Sequence, residues 1–368
     1  MKRTGEKRLN DLNIKWKDFY KNVFALVVPM ALQNLINVGV TAADVVMLGK
    51  VSEKVLSGAS LAGQIQYIMV LFLFGLTSGA TVLTAQYWGK GDKTAIEKIL
   101  ALGIRSAVIV TAIFTIAAFT IPASLMRIFT NDPQVIAEGV KYLRIVACSY
   151  IIMGITNVYL YVMRSIERVI VATVIYLVSF LCNVVFNAIF IFGLFGFPAL
   201  GIRGAAIATL IARIMELVLV CGYAKIYNKD VKFRVHYFLH QDKLLVRDFL
   251  VYSLPVVLNE VMWGLGTSAN TAVLGHMGSS AVAANSVAQV ARQLATVVSF
   301  GLSSATAIYL GKTIGERKFD HARAYAKRFI ILSVVMGVIG GGLILIASPV
   351  VISFLSLSAT ARYYLKMM

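Results

Sequence analysis

The chain has 368 residues, of which 59% are hydrophobic and only 14% charged, and it carries a formal net charge of +18. A mean hydropathy of +0.80, with charge far below the roughly 25% of an ordinary soluble domain, excludes a water-soluble globular protein and points to a polytopic membrane protein. The three cysteines have no metal-ligand spacing, which makes them small packing residues rather than a disulfide or metal framework.

Residues 1–21 are charged and lack an apolar core followed by a small-residue cleavage site. They read as a cytoplasmic N-terminal segment, not a cleavable signal peptide, and the first span serves as an uncleaved anchor. Five stretches hold no charge at all, 55–89, 106–126, 145–163, 169–202 and 329–361, and each is long enough, at roughly 20 residues, to cross the hydrocarbon core as a helix. Four more are interrupted by rare charges: 22–49 by Asp44, 204–224 by Arg213 and Glu216, 249–275 by Glu260, and 277–311 by Arg292. The sum is nine spans. A tenth is expected to begin at Tyr364-Leu365, which resembles Tyr142-Leu143 at the start of the fourth. Period-two alternation, the mark of a membrane barrel, is absent, so an all-α membrane bundle is predicted.

The positive charge sits in alternate connections. The N-terminal segment has seven Lys and Arg, including Lys15, Lys17 and Lys21, and the second-to-third connection has Lys90, Lys93 and Lys98. Arg164 and Arg168 follow the fourth span, Lys225 to Arg247 the sixth, and Lys312 to Arg328 the eighth. The intervening connections carry few. By the positive-inside rule the N-terminus is cytoplasmic, and the basic excess is a topology signal rather than a nucleic-acid surface.

A duplication organises the chain. Residues 29–92 align without a gap to 255–318, at a constant offset of 226. Pro29 matches Pro255, Leu48-Gly49 matches Leu274-Gly275, and Phe74-Gly75-Leu76 matches Phe300-Gly301-Leu302. An offset holding six spans returns the chain to the same side, so the copies are parallel repeats, an ancestry usual for secondary transporters. The expected divisions are 1–21, an N-lobe at 22–226 (spans one to six), a cytoplasmic linker at 227–248, and a partial C-lobe at 249–368. The linker mixes Phe, Tyr, His, Lys and Arg, which suits either an interfacial helix on anionic lipid or a solvated connection.

Ionisable groups inside a bilayer are costly and are functional candidates by default. Asp44 lies late in the first span; desolvation penalises its charged form, so it can hold a proton near neutral pH and release it when water or a cation arrives. The alternative is an interfacial Asp that caps the loop before Val51. Asn183 and Asn187, four apart, share a helix face, and their amides can donate to a carboxylate or meet Na+ through oxygen; Thr209 on the next span adds a hydroxyl. The plainer reading has these groups bonding neighbouring helices. Glu260 stands where the first copy has Asn34, and Asp44 where the second has Asn270, so each lobe carries a carboxylate where the other carries an amide. Glu260 with Gln33, Asn34, Asn37, Gln64 and Gln289 can line a central cleft, and the alternative for Glu260 is a protonated, packed carboxyl. Arg213 and Glu216, three apart, read as an intrahelical structural pair. No nucleotide-binding glycine loop occurs and the four histidines are scattered, so no enzyme, metal or cofactor signature emerges.

The run Asn183-x3-Asn187-x3-Ile191-Phe192-Gly193, continuing through Gly196-Phe197-Pro198 to Gly204-Ala205-Ala206-Ile207-Ala208-Thr209, together with Asp44 ahead of Leu48-Gly49, resembles the MATE (multidrug and toxic compound extrusion) family. The resemblance covers nearly the whole chain beyond the N-terminal segment. It implies a monomeric twelve-helix antiporter of the bacterial cytoplasmic membrane with two six-helix lobes, here with the second incomplete. Such a protein exports cationic, amphipathic drug-like compounds in exchange for H+ or Na+ by alternating access, with Asp44, Asn183, Asn187 and Thr209 as the N-lobe coupling cluster. The chain departs from the pattern in lacking the last three helices, and in having Trp263 where many members place the seventh-helix Glu. Two other readings stand beside it. One is a lipid-linked oligosaccharide flippase of the same superfamily, which is expected to line its cleft with several cations. The other is an inactive truncated fragment.

Overall fold

The computed structural model describes residues 15–240, 242–276 and 279–354, with side chains described for all of these but 53, 268, 270–276, 279–295 and 343–354. The expected start of a tenth span at Tyr364-Leu365 lies outside the described residues. Every regular element among those described is helical. In chain order they are α1 (Trp16–Gly49), α2 (Glu53–Lys90), α3 (Lys93–Thr120), α4 (Pro122–Arg127), α5 (Pro133–Ala147) and α6 (Tyr150–Ser165). They continue with α7 (Val169–Phe192), α8 (Ile202–Ile226), α9 (Val235–Leu239), α10 (Lys243–His276), α11 (Ser279–Gly315) and α12 (Phe319–Phe354).

Eight of these helices are long and apolar enough to cross a membrane, and α5 with α6, bent by 52° across their break, makes a ninth if the pair is one span. The break is local hydrogen-bond chemistry. Cys148 N–H and Ser149 N–H donate three residues back, to Ile145 O and Val146 O, and the Ser149 hydroxyl donates to Val146 O at 2.7 Å. A hydroxyl that takes a backbone carbonyl in this way competes with the helical ladder. Elsewhere the ends follow capping rules: Ser52, Asp92 and Asp132 accept from the first backbone amides of α2, α3 and α5, the last ahead of Pro133 at the first helical position.

The duplication is visible in the backbone. Glu53 and Ser279 open α2 and α11, and Lys93 and Phe319 open α3 and α12, each pair 226 positions apart. Gly91 and Arg317, at the same separation, both take the left-handed conformation between those helices, with φ of 78° and 59°.

The chain divides into two compact units, one of 1–35 with 262–368 and the other of 36–261. The divisions fall inside α1 and α10, at Leu35 and Val261, again 226 positions apart. In the larger unit the core runs through Met69, Leu73, Ile96, Leu100, Tyr150 and Leu160 of α2, α3 and α6. The first half of α10 belongs to this unit: Leu245 and Phe249 pack with Leu83 and Ile99, and a Cβ at Gly75 would fall 2.4 Å from the Val257 side chain. The smaller unit repeats that arrangement with the first half of α1. Phe19 stacks on Tyr325 at 4.9 Å and meets Tyr309 edge-on, while Gly301 faces the Val27 and Ala31 backbone. Each copy of the repeat therefore sends the first half of its first helix to the second and third helices of the other copy.

Ile109, Ile113 and Ile116 of α3 are each more than half exposed, and a row of large aliphatics at helical spacing that faces outward is a lipid-facing stripe. Cys148 and Cys221 are also exposed, and Cys182 half-buried, so the two exposed cysteines are not the small packing residues the sequence suggested. The connection after α8 is anchored rather than loose. Asn228 is buried and donates to the Tyr159 hydroxyl and to Val231 O. Asp230 pairs with Lys93 and Arg168, and Glu97 takes Arg234 and the Lys232 amide. Its regular helix is only the five residues Val235–Leu239.

Candidate functional site

Helix α7 presents two faces. Ile170, Val174, Leu181 and Val185 point outward, and Ala172, Ser179, Asn183 and Asn187 point inward. Gly193, left-handed at φ 74°, ends it, and α8 turns back along it. The close approach needs Gly204, where a Cβ would meet Phe190 O at 2.4 Å. Leu200 N–H donates to that same carbonyl. This pinned turn sets the antiparallel register that brings Thr209 opposite Asn183 and lets the Ser179 hydroxyl donate to Ala212 O. The end of α1 closes the group: Leu48 is buried with Ile191, Ile202 and Ala205, and this seating carries Asp44, one turn earlier, onto α7.

The four residues Asp44, Asn183, Asn187 and Thr209 thus lie in one cluster within the larger unit. The Asn187 amide nitrogen donates to Asp44 Oδ1 at 2.5 Å and to Asn183 Oδ1 at 3.1 Å, and the Asn183 amide nitrogen donates to Thr209 Oγ1 at 3.4 Å. Asn187 is fully buried and Asn183 3% exposed. Asn187 Oδ1 is buried with no hydrogen-bond partner among the described residues. An orphaned acceptor beside a carboxylate is unusual in a native interior, and it is the atom that a protonated Asp44, or an entering cation, can use.

Two groups beside the cluster went unmarked in the sequence. Tyr142 of α5 lies beside Thr209 and Asp44 and packs on the Leu48 cluster. Thr156 of α6 donates to Glu216 Oε1 at 2.5 Å. Glu216, 1% exposed, takes Arg213 Nη1 on its other oxygen at 2.6 Å, so the expected pair forms, with a third partner.

The remaining candidates are dispersed. Gln33 (buried) and Asn34 (half-buried) belong to the smaller unit, whereas Asn37 and Gln64 (both exposed) and Glu260 (half-buried) belong to the larger. The side chains of Gln289, Arg292 and Asn270 lie outside the described residues. Among the described residues no group of three or more His, Cys, Asp or Glu gathers to hold a metal ion.

Long apolar helices, duplicated along the chain, define a multi-pass membrane protein, and its larger unit holds the carboxylate–amide cluster. The sequence model of the MatE family matches residues 29–189 and 255–368, and the chain belongs to that family. It is 23% identical over 336 residues to the probable multidrug resistance protein NorM of Agrobacterium fabrum, covering 91% of this chain and 72% of that protein. It is 26% identical over 359 residues to the NorM of Haemophilus ducreyi, covering 92% and 74%. Its fold matches the outward-facing structure of a multidrug resistance MATE family transporter of the MOP superfamily with a TM-score of 0.84 at 20% identity, over 94% of this chain and 76% of that one.

Proposed function

We propose that this chain is a cation-coupled efflux transporter of the bacterial cytoplasmic membrane, monomeric and with a cytoplasmic N-terminus. It exports cationic or amphipathic drug-like compounds in exchange for H+ or Na+ by alternating access. The relatives named as multidrug resistance proteins support the substrate class. The observation that carries the coupling is Asp44 joined to the Asn187, Asn183 and Thr209 chain inside an apolar bundle.

The cluster has two chemically distinct states. An ionised Asp44 accepts from the Asn187 amide nitrogen. A protonated Asp44 carries a hydroxyl and needs an acceptor; rotation of the Asn187 side chain turns its orphaned Oδ1 to that hydroxyl. Charge on Asp44 thereby changes the bonding of α1 to α7, and a ligand that prefers one state shifts the other. The flippase alternative expects several cations free to hold a pyrophosphate, whereas Arg213 is already taken by Glu216.

Asp44→Asn should abolish efflux driven by a proton or sodium gradient in proteoliposomes, while the variant remains folded by its melting profile. Efflux at the unaltered rate would remove Asp44 from the mechanism.

A further inference from the structure

The connection from α8 to α10 runs between two membrane spans, Ile202–Ile226 and Lys243–Thr267, and so lies beside the membrane surface. Its inner side is fixed. Val231 is buried in the core of the larger unit and Phe238 packs on that core, Asn228 holds Val231 O and the Tyr159 hydroxyl, and α9 rests on α3. Its outer side mixes two kinds of side chain. Val235 and Leu239, one turn apart on α9, are 64% and 65% exposed, and Tyr227, Phe233 and Leu244 are exposed as well. Among them stand Lys225, Lys229, Lys232 and Lys243, all exposed. The nearby acids are already engaged. Asp230 holds Lys93 and Arg168, Asp242 pairs with Lys98, and Glu97, which faces the connection from α3, takes Arg234 and the Lys232 amide. The four lysines make no ion pair among the described residues.

We propose that this anchored connection is a docking surface for anionic phospholipid, with Val235, Leu239 and their apolar neighbours set into the acyl boundary and the four lysines on lipid phosphates. Water would leave the large apolar side chains hydrated. A neutral bilayer would cover them but give the lysines no counter-charge. An anionic bilayer satisfies both, which is how interfacial segments of mixed apolar and basic character bind. The long lysine stems let each ammonium reach a phosphate while the backbone stays with the apolar layer. Because Asp230, Asp242 and Glu97 are taken by other cations, no local carboxylate competes with those phosphates. A nucleic acid or a soluble anion would meet the same lysines and leave Val235 and Leu239 in water, so lipid is the occupant that the whole surface fits. The bound lipid covers the segment that leads into α10, whose Leu245 and Phe249 are seated in the larger unit, and it steadies that seating. This contact is independent of Asp44 and of the ion that Asp44 takes.

The test places the full chain in nanodiscs of phosphatidylcholine, with and without phosphatidylglycerol, and follows amide hydrogen exchange from residue 227 to residue 250. With phosphatidylglycerol present the wild type should exchange about tenfold more slowly there, and native mass spectrometry should find that lipid retained. K225Q/K229Q/K232Q/K243Q should lose the slowing, each cation contributing about fivefold to lipid affinity. V235S/L239S should exchange faster than the wild type in both bilayers. If the quadruple variant fails to fold, the wild type in about 0.5 M salt takes its place, where screening should shrink the phosphatidylglycerol effect. Equal exchange of the wild type in the two bilayers would overturn the proposal, as would a quadruple variant that keeps the response, a response indifferent to salt, or V235S/L239S behaving as the wild type. The same slowing by inorganic phosphate in phosphatidylcholine discs would also overturn it, since that result marks a site for a soluble anion.

Discussion

Glu216 is held by two donors, and the energetic weight of that arrangement is testable apart from transport. Glu216→Gln leaves the Arg213 guanidinium without a compensating anion inside an apolar bundle, and breaking a buried pair in this way costs about 3–5 kcal/mol. R213Q/E216Q removes both charges and should melt within about 1 kcal/mol of the wild type; thermal unfolding in detergent separates the two. At this scale the sequence is legible where spacing carries information. Asn183 and Asn187, four apart in a charge-free stretch, announce a polar helix face, and Arg213 and Glu216, three apart, announce a pair. Tyr142, beside Lys141 and Arg144, reads only as the start of the fourth span. Thr156 is one hydroxyl in an apolar run, with nothing in the sequence to set it apart from Thr111, whose hydroxyl merely donates to Ala107 O in its own helix.

Among elements, the α7–α8 turn fixes the register of the cluster, and Gly204 fixes the turn. Gly204→Ala places a methyl group against Phe190 O, which cannot move without its helix. It should cost about 1–3 kcal/mol and reduce hydrogen-exchange protection at 200–209. The anchored connection after α8 offers a pH prediction. The hydrogen bond from Lys93, opposed by a smaller desolvation and assisted by Arg168, holds the Asp230 carboxyl below its ordinary value. A depressed carboxyl stabilises fully above the unfolded value and loses that contribution as pH falls through the lowered one. Hydrogen-exchange protection of 227–240 should therefore stay level from neutrality to about pH 5 and fall below about pH 4. In Asp230→Asn that fall should vanish. Both cations are more than half exposed, so each pair is worth about 1 kcal/mol at most; the buried Asn228 carries more, and Asn228→Ala should cost about 1–3 kcal/mol. Helix positions could be read from charge-free stretches. The bend between α5 and α6 could not, because Cys148 and Ser149 lie inside the charge-free stretch 145–163 with no Pro or Gly beside them to mark a break.

For the whole molecule, the repeat foretold matching helices, and their first residues do keep the 226-residue separation. It did not foretell which helices pack together. Leu245 and Phe249 are as apolar as any neighbours, and an apolar face does not name its partner. Yet they fill the space between Leu83 and Ile99, and Phe19 fills the equivalent place against Tyr309 and Tyr325. A protein cut after residue 226 should consequently expose Gly75, Gly79 and Leu83. It should be digested by protease markedly faster than the same segment co-expressed with 227–368; equal resistance would show that α10 contributes little to that core.

The same exchange has a consequence for the order of events during synthesis. Phe19 leaves the ribosome some three hundred residues before the aromatic rings that receive it, at 309 and 325. At the usual pace of translation that interval is on the order of tens of seconds. Through it the first half of α1 sits in the bilayer with lipid in place of its final neighbours. The first half of α1 is thus among the last to reach its native packing, and a lipid or insertion factor that shelters it meanwhile acts on folding before any substrate has been moved.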